Sequence, residues 1–239
     1  MSHPRADLSK EVSNFVSSVV VAGGSGMRFG TRKQFALLGG RPVLEHTLET
    51  VLAVSDEVIV VVPDDAVASI REALSTGKDR SDGHATVVAG GATRAASVRA
   101  GLAAVEAEVS VVLVHDAARP LATTALFERV IDSVTQGAAA AIPVVPVTDS
   151  IRHVDGRVVD RTSLRAVQTP QGFRAEVLRS AHASGADATD DATLVGDLGY
   201  DVATVDGEPE NRKLTVPSDL TFAEAIVSER AKEPRVTNS

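Results

Sequence analysis

The chain has 239 residues, 44% of them apolar, enough for one α/β domain with a sizeable core. Its 24 basic and 32 acidic residues leave a net charge of −8, and only 3% are aromatic, so neither the basic face nor the stacking platforms of a nucleic-acid binder are expected. The absence of Cys excludes disulfides, thiolate metal sites and thiol nucleophiles together.

Residues 1–14 are polar and carry acids, so they read as a disordered leader and not as a secretory signal. Residues 15–22 are an apolar run, read as a buried strand. A helix is expected over 42–53, with Pro42 in its first turn, then a strand at 57–62 ended by Pro63. A helix over 64–74, a polar loop over 76–84 and a strand at 86–89 follow. Thr93 is suited to cap a helix over 93–105. A continuous apolar strand at 109–114, a helix over 123–135 and a strand at 138–145 continue the rhythm. Short apolar strands spaced by helices imply βαβ units. The expected fold is α/β: a three-layer, Rossmann-like, mainly parallel sheet flanked by helices.

Residues 146–168 break that rhythm. The turn Val154-Asp155-Gly156-Arg157 separates two short strands, 148–152 and 157–160, with no helix to cover them. A projecting β-hairpin arm that packs on a second subunit, making a homodimer, is expected; a hairpin folded on its own domain is the alternative. Helices over 174–183 and 190–198, a strand at 201–205, a helix over 217–230 and a flexible tail at 231–239 complete the chain. One domain over 15–230 is expected, with no linker to divide it. No apolar run approaches the roughly 20 residues of a membrane span, so a cytoplasmic protein without a membrane partner is expected.

The strongest chemical signal follows the first strand: Ala22-Gly23-Gly24-Ser25-Gly26-Met27-Arg28-Phe29-Gly30-Thr31-Arg32-Lys33. Glycines just past a strand's C-terminal end let backbone N–H groups approach a phosphate. The spacing misses the dinucleotide fingerprint by one residue, and Thr31 after Gly30 breaks the P-loop pattern. The cations Arg28, Arg32 and Lys33 suit a triphosphate that loses pyrophosphate, because charge builds on the leaving group. Asp116 ends an apolar strand at the edge where ligands collect. A carboxylate there needs a metal, a ribose or a cation, unless it caps the next helix.

Five motifs in order carry a family resemblance. They are Ala22-Gly23-Gly24-Ser25-Gly26 with Arg28, Lys33 and Gln34; Gly90-Gly91 with Arg94 and Ser97; Val114-His115-Asp116-Ala117-Ala118-Arg119-Pro120; Gln168-Thr169-Pro170-Gln171-Gly172-Phe173; and Thr189-Asp190-Asp191-Ala192. By these the chain resembles the 2-C-methyl-D-erythritol 4-phosphate cytidylyltransferases. The resemblance implies CTP and a polyol phosphate as substrates, assisted by Mg²⁺. A phosphate monoester is largely dianionic at neutral pH, its second pKa being about 6, so the nucleophile needs no general base. The enzyme must supply alignment and charge neutralisation.

The implied roles follow. Arg28 and Lys33 stabilise the reacting α-phosphate and the leaving pyrophosphate, and Ala22, Gly23, Gly24, Ser25 and Gly26 contact the nucleotide. Gly91 and Ser97 read the cytosine, with Arg94 orienting their loop. Asp116, followed by Ala117, lies near ribose, Mg²⁺ and acceptor. Arg119, Ser150, Thr169 and Thr189 bind the acceptor, while Arg161 and Lys213 position its phosphate, Arg161 from the partner's arm. From the residues alone, Ser97 equally suits a small packing position, Lys213 an edge-strand gatekeeper and Arg161 a solvated charge. Arg32 and Ala92 depart from the family pattern, which often has Pro and an acidic residue there. Ribitol-5-phosphate cytidylyltransferase is the nearest rival; Ala118, Gly172 and the Thr189–Ala192 run favour methylerythritol phosphate. A dehydrogenase or a non-catalytic nucleotide-binding module is the alternative from another class.

Overall fold

A computed structural model describes residues 15–23, 35–76 and 85–232. β1 (Val16–Val21) is followed by a small hairpin, β2 (Leu37–Leu38) with β3 (Arg41–Pro42), which leads into α1 (Val43–Leu52). Then come β4 (Glu57–Val62), a 3₁₀ turn at Asp64–Ala66, α2 (Val67–Thr76) and β5 (Ala85–Ala89). α3 (Arg94–Leu102), β6 (Val111–Asp116) and α4 (Thr124–Thr135) continue the alternation. Thr93 and Thr123 cap α3 and α4, their hydroxyls accepting from Ala96 N–H and Leu126 N–H. β7 (Ala140–Pro146) precedes the segment expected to form an arm, in which β8 (Ile151–Arg152) pairs with β9 (Val158–Val159). β10 (Arg165–Val167), β11 (Gln171–Arg174), α5 (Ala175–His182), α6 (Asp191–Asp197), β12 (Val202–Asp206) and α7 (Pro217–Arg230) complete the order.

The main sheet runs β10-β7-β11-β6-β1-β4-β5, with β12 on the other side of β7. β1 pairs in parallel with β4 and β6, β4 with β5, and β7 with β12; β10 and β11 run antiparallel. Alternation decides which face each strand residue buries. Val58, Val60 and Val62 join Leu48 of α1 and Phe127 of α4 in one core, whereas Ile59 and Val61 join Val98 of α3 and Leu178 of α5 in the other. Two cores on two faces make the three layers expected. Leu38, Leu121, Leu214 and Ala223 form a smaller cluster under α7.

The structure corrects several boundaries. Residues 171–174 are a strand, so the helix expected from Arg174 begins at Ala175. β11 sits between β6 and β7 in the sheet interior, and Gly172 lets it fit there. A Cβ at Gly172 would lie 2.5 Å from Cγ1 of Val130 on α4. The arm's ladder is shorter than 148–152 with 157–160, because Arg161–Ser163 form a 3₁₀ turn capped by Asp160 and Arg165–Val167 return to β7. The helix expected over 64–74 splits into the 3₁₀ turn and α2.

Candidate active site

Parallel pairing brings the chemistry to one edge. Val21 stands opposite Asp116 in the β1–β6 register, so the exit of β1 at Ala22 and Gly23 lies beside the end of β6. Two backbone bonds fix that corner: Ala22 N–H donates to Val61 O at 2.7 Å, and Ala117 N–H to Val21 O at 3.0 Å. β5 ends beside them at Gly90 and Gly91. A Cβ at Gly91 would lie 2.5 Å from Cβ of Ala96, so only glycine lets this turn press onto the start of α3. Residues 24–34, which contain Gly24, Ser25, Gly26, Arg28 and Lys33, lie outside the described residues.

Asp116 is the hub. It is 7% exposed, and its Oδ2 lies 2.7 Å from Nζ of Lys213. Its Oδ1 accepts from Nε of Arg94 at 3.3 Å, and Nε of Arg119 stands 4.0 Å from Oδ2. Burial alone pushes this carboxyl up, but the Lys213 ammonium, then Arg94, the hydrogen bond from Lys213 and Arg119 outweigh it and hold Asp116 well below the usual carboxylate range. The result is an ionised carboxylate among three cations at the sheet's ligand-binding edge. Such a cluster can neutralise phosphate charge and release one cation to an incoming anion.

Long-range bonds place Lys213. Gln168 accepts from Glu208 N–H and donates to the carbonyls of Glu208 and Asn211, at 3.0, 2.7 and 3.2 Å. Arg119 Nη1 donates to Asn211 O at 2.7 Å, and Leu214 N–H to Ala118 O at 2.8 Å. The segment before α7 is thereby locked onto both the β6 exit and the β10–β11 junction. Arg119 also donates to Val167 O at 3.4 Å, so its guanidinium is mostly held by its own chain.

His115 organises the other side of Asp116. Its Nε2 faces Arg119 O at 3.2 Å, and a carbonyl only accepts, so Nε2 carries the proton. Nδ1 then accepts from the Thr169 hydroxyl at 3.1 Å, and Thr169 Oγ1 accepts from Asp116 N–H at 3.1 Å. Burial lowers the His115 pKa to about 4, against a smaller upward pull from Asp116. His115 is therefore neutral, and Thr169 commits its proton inside the site.

Ser97 is buried, its hydroxyl donating toward Thr93 O at 2.9 Å and accepting from Gly91 N–H at 3.2 Å. It holds the Gly90–Gly91 turn. Thr189 and Ser150 are exposed, and Arg161 donates to Thr148 O within the arm. The structure thus brings together Ala22, Gly23, Gly91, Arg94, Ser97, Asp116, Ala117, Arg119, Thr169 and Lys213. The contacts described for Ser150, Arg161 and Thr189 do not join them to that cluster within one chain. Sequence reasoning assigned no role to His115, Gln168, Gln171, Asp191 or Asn211. All five are buried polar residues, four of them inside the quoted motifs, and that conjunction was the available signal.

The family model described as IspD, 2-C-methyl-D-erythritol 4-phosphate cytidylyltransferase, matches residues 16–229. The chain is 46% identical to the 2-C-methyl-D-erythritol 4-phosphate cytidylyltransferase of Rhodococcus opacus over 226 residues, 90% of this chain and 96% of that one. Among solved structures, the Thermus thermophilus enzyme of that name is similar with a TM-score of 0.73 and 40% identity, over 88% of this chain and 98% of that one. The 4-diphosphocytidyl-2C-methyl-D-erythritol synthase of Anaerococcus prevotii gives a TM-score of 0.78 at 30% identity, over 90% and 99%.

Proposed function

Because the chain belongs to the 2-C-methyl-D-erythritol 4-phosphate cytidylyltransferase family, we propose that it transfers the cytidylyl group of CTP to 2-C-methyl-D-erythritol 4-phosphate. A phosphate oxygen of the acceptor attacks the α-phosphorus of CTP, the bond to the β-phosphate oxygen breaks, and pyrophosphate leaves. The observation that carries this reading is the ionised Asp116, held by Lys213, Arg94 and Arg119 at the C-terminal edge beside Ala22 and Gly23.

In this reading the glycine-rich loop holds the triphosphate, with Arg28 and Lys33 neutralising it. Gly91 and Ser97 shape the base pocket, Ser97 chiefly by fixing the turn. Lys213, whose side chain is 41% exposed, swings its ammonium from Asp116 to the acceptor phosphate. Asp116 would supply the carboxylate that holds a Mg²⁺ beside the phosphates. Among the described residues there is no group of three or more His, Asp or Glu that could hold a metal ion. When bound, Mg²⁺ neutralises phosphate charge during transfer.

The reading extends to a cytoplasmic homodimer. The arm offers Val154 and Val158 to the outside, and apolar residues on a projecting hairpin suit burial against a second copy. Arg161, Ser150 and Thr189 would then meet an acceptor shared between subunits. No helix among the described residues is long and apolar enough to cross a membrane.

Pyrophosphate release tests the function. It should require CTP and 2-C-methyl-D-erythritol 4-phosphate together and be much slower with ribitol 5-phosphate. Equal or faster turnover of ribitol 5-phosphate would refute the choice of acceptor.

A further inference from the structure

Arg94 is the first residue of α3, where the helix dipole disfavours a cation, so its guanidinium needs carboxylate partners. It has two. Nε reaches Asp116 Oδ1 at 3.3 Å, and Nη1 reaches Asp191 Oδ2 at 2.7 Å. Asp191 opens α6 after the cap residue Asp190 and is 1% exposed. Its position is fixed from several directions: Oδ1 lies 2.9 Å from His182 Nε2, and its own N–H donates to Gln171 Oε1 at 3.2 Å. Two further contacts join α3 to the same connection, Thr93 Oγ1 to Asp187 Oδ1 at 2.8 Å and Arg99 Nη1 to Ala186 O at 3.0 Å.

A guanidinium presents its donors in a rigid planar fork, and an unrestrained one grips a carboxylate with two parallel bonds. Here one arm of the fork is anchored on Asp191. Arg94 reaches Asp116 through Nε, at Oδ1, and Asp116 Oδ2 stays with Lys213. We propose that Asp191 is a positioning residue of the transfer reaction: it holds Arg94 to one oxygen of Asp116 and keeps the other available to Lys213. Without that anchor Arg94 closes on both oxygens of Asp116, and Lys213 loses the partner that presents it to the acceptor phosphate. The proposal rests on the cytidylyl-transfer reading above.

The test is steady-state pyrophosphate release with CTP and 2-C-methyl-D-erythritol 4-phosphate, beside urea unfolding of each protein. Asp191→Asn keeps the shape of the side chain but removes its charge. We expect kcat to fall at least about tenfold, with KM for CTP within about threefold of the wild type. Arg94→Gln should also lower kcat, and the double variant should be no slower than the slower single variant, within about twofold, because Asp191 acts through Arg94. Should Asp191→Asn not fold, Arg94→Lys carries the test. Lysine keeps the charge but lacks the fork that spans two carboxylates, so kcat should again fall about tenfold. Wild-type kcat in folded Asp191→Asn or in Arg94→Lys overturns the proposal, as do losses that multiply in the double variant. A wild-type enzyme that releases no pyrophosphate overturns the functional reading as well; an active wild type with unaffected variants overturns this one alone.

Discussion

Replacing Thr169 by Val tests the hydrogen-bond relay that steadies Asp116. Val has nearly the same shape, so no cavity forms at a position only 5% exposed. The hydroxyl alone is lost. Asp116 N–H and His115 Nδ1, each 3.1 Å from Thr169 Oγ1, are then left buried without that partner. A buried polar group without a partner costs about 1–3 kcal/mol, so the two together should cost roughly 2–6 kcal/mol. Against the about 5–15 kcal/mol of a domain's stability, that loss is large enough to be measured. Urea unfolding followed by circular dichroism gives the value, with Thr169→Ser as the control. Serine keeps the hydroxyl and should cost no more than about 1.5 kcal/mol for the missing methyl group. A loss below about 0.5 kcal/mol in Thr169→Val, or a larger loss in Thr169→Ser, would refute the relay.

Stability should also fall on mild acidification. His115 titrates near 6.5 when unfolded and at about 4 when folded, so the unfolded chain binds the extra proton between those values. The contribution is complete above about pH 6.5 and is lost towards pH 4, roughly 3 kcal/mol at about 1.4 kcal/mol per pH unit; a urea midpoint unchanged from pH 7 to 4.5 would contradict it. Asp116, held low, keeps its contribution through that window and loses it only in stronger acid. Gly172→Ala should cost about 1–3 kcal/mol by overpacking against Val130, and Val130→Ala should recover part of that in the double variant; additive losses would argue against the contact. Chelating divalent metal should abolish pyrophosphate release and added Mg²⁺ should restore it, while the urea midpoint of the enzyme without nucleotide stays unchanged; a chelator that lowers that midpoint would point to a structural metal instead.

The elements that were readable from the chain are those whose burial is uniform. β1, β4 and β6 are nearly continuous apolar runs because helices cover both faces, and Thr93 and Thr123 announce their helices through caps. β11 was not readable. Gln171-Gly172-Phe173-Arg174 shows no strand-like alternation, because Gln171 is buried to accept from Asp191 N–H and Ala192 N–H, and Gly172 makes room for α4. Periodicity cannot signal a strand whose inward residues are polar for the sake of another element. The site divides in the same way. Asp116 at a strand end and glycines at another carry local signals. The pairing of Arg94 with Asp191, 97 residues apart, has none, and Lys213 became legible only through family likeness. Without that likeness, its lysine reads as an edge-strand gatekeeper.

The place of Ser97 bears on any attempt to change which base the enzyme accepts. Its Oγ would lie 3.2 Å from a Cβ at Gly23 and 2.9 Å from one at Gly90, so one small side chain is the spacer between the exit of β1 and the turn after β5. A bulkier residue there would push on both Gly23 and Gly90 at once. Selection for a new nucleotide would therefore have to move both loops in concert, or act from a wall that only one of them touches.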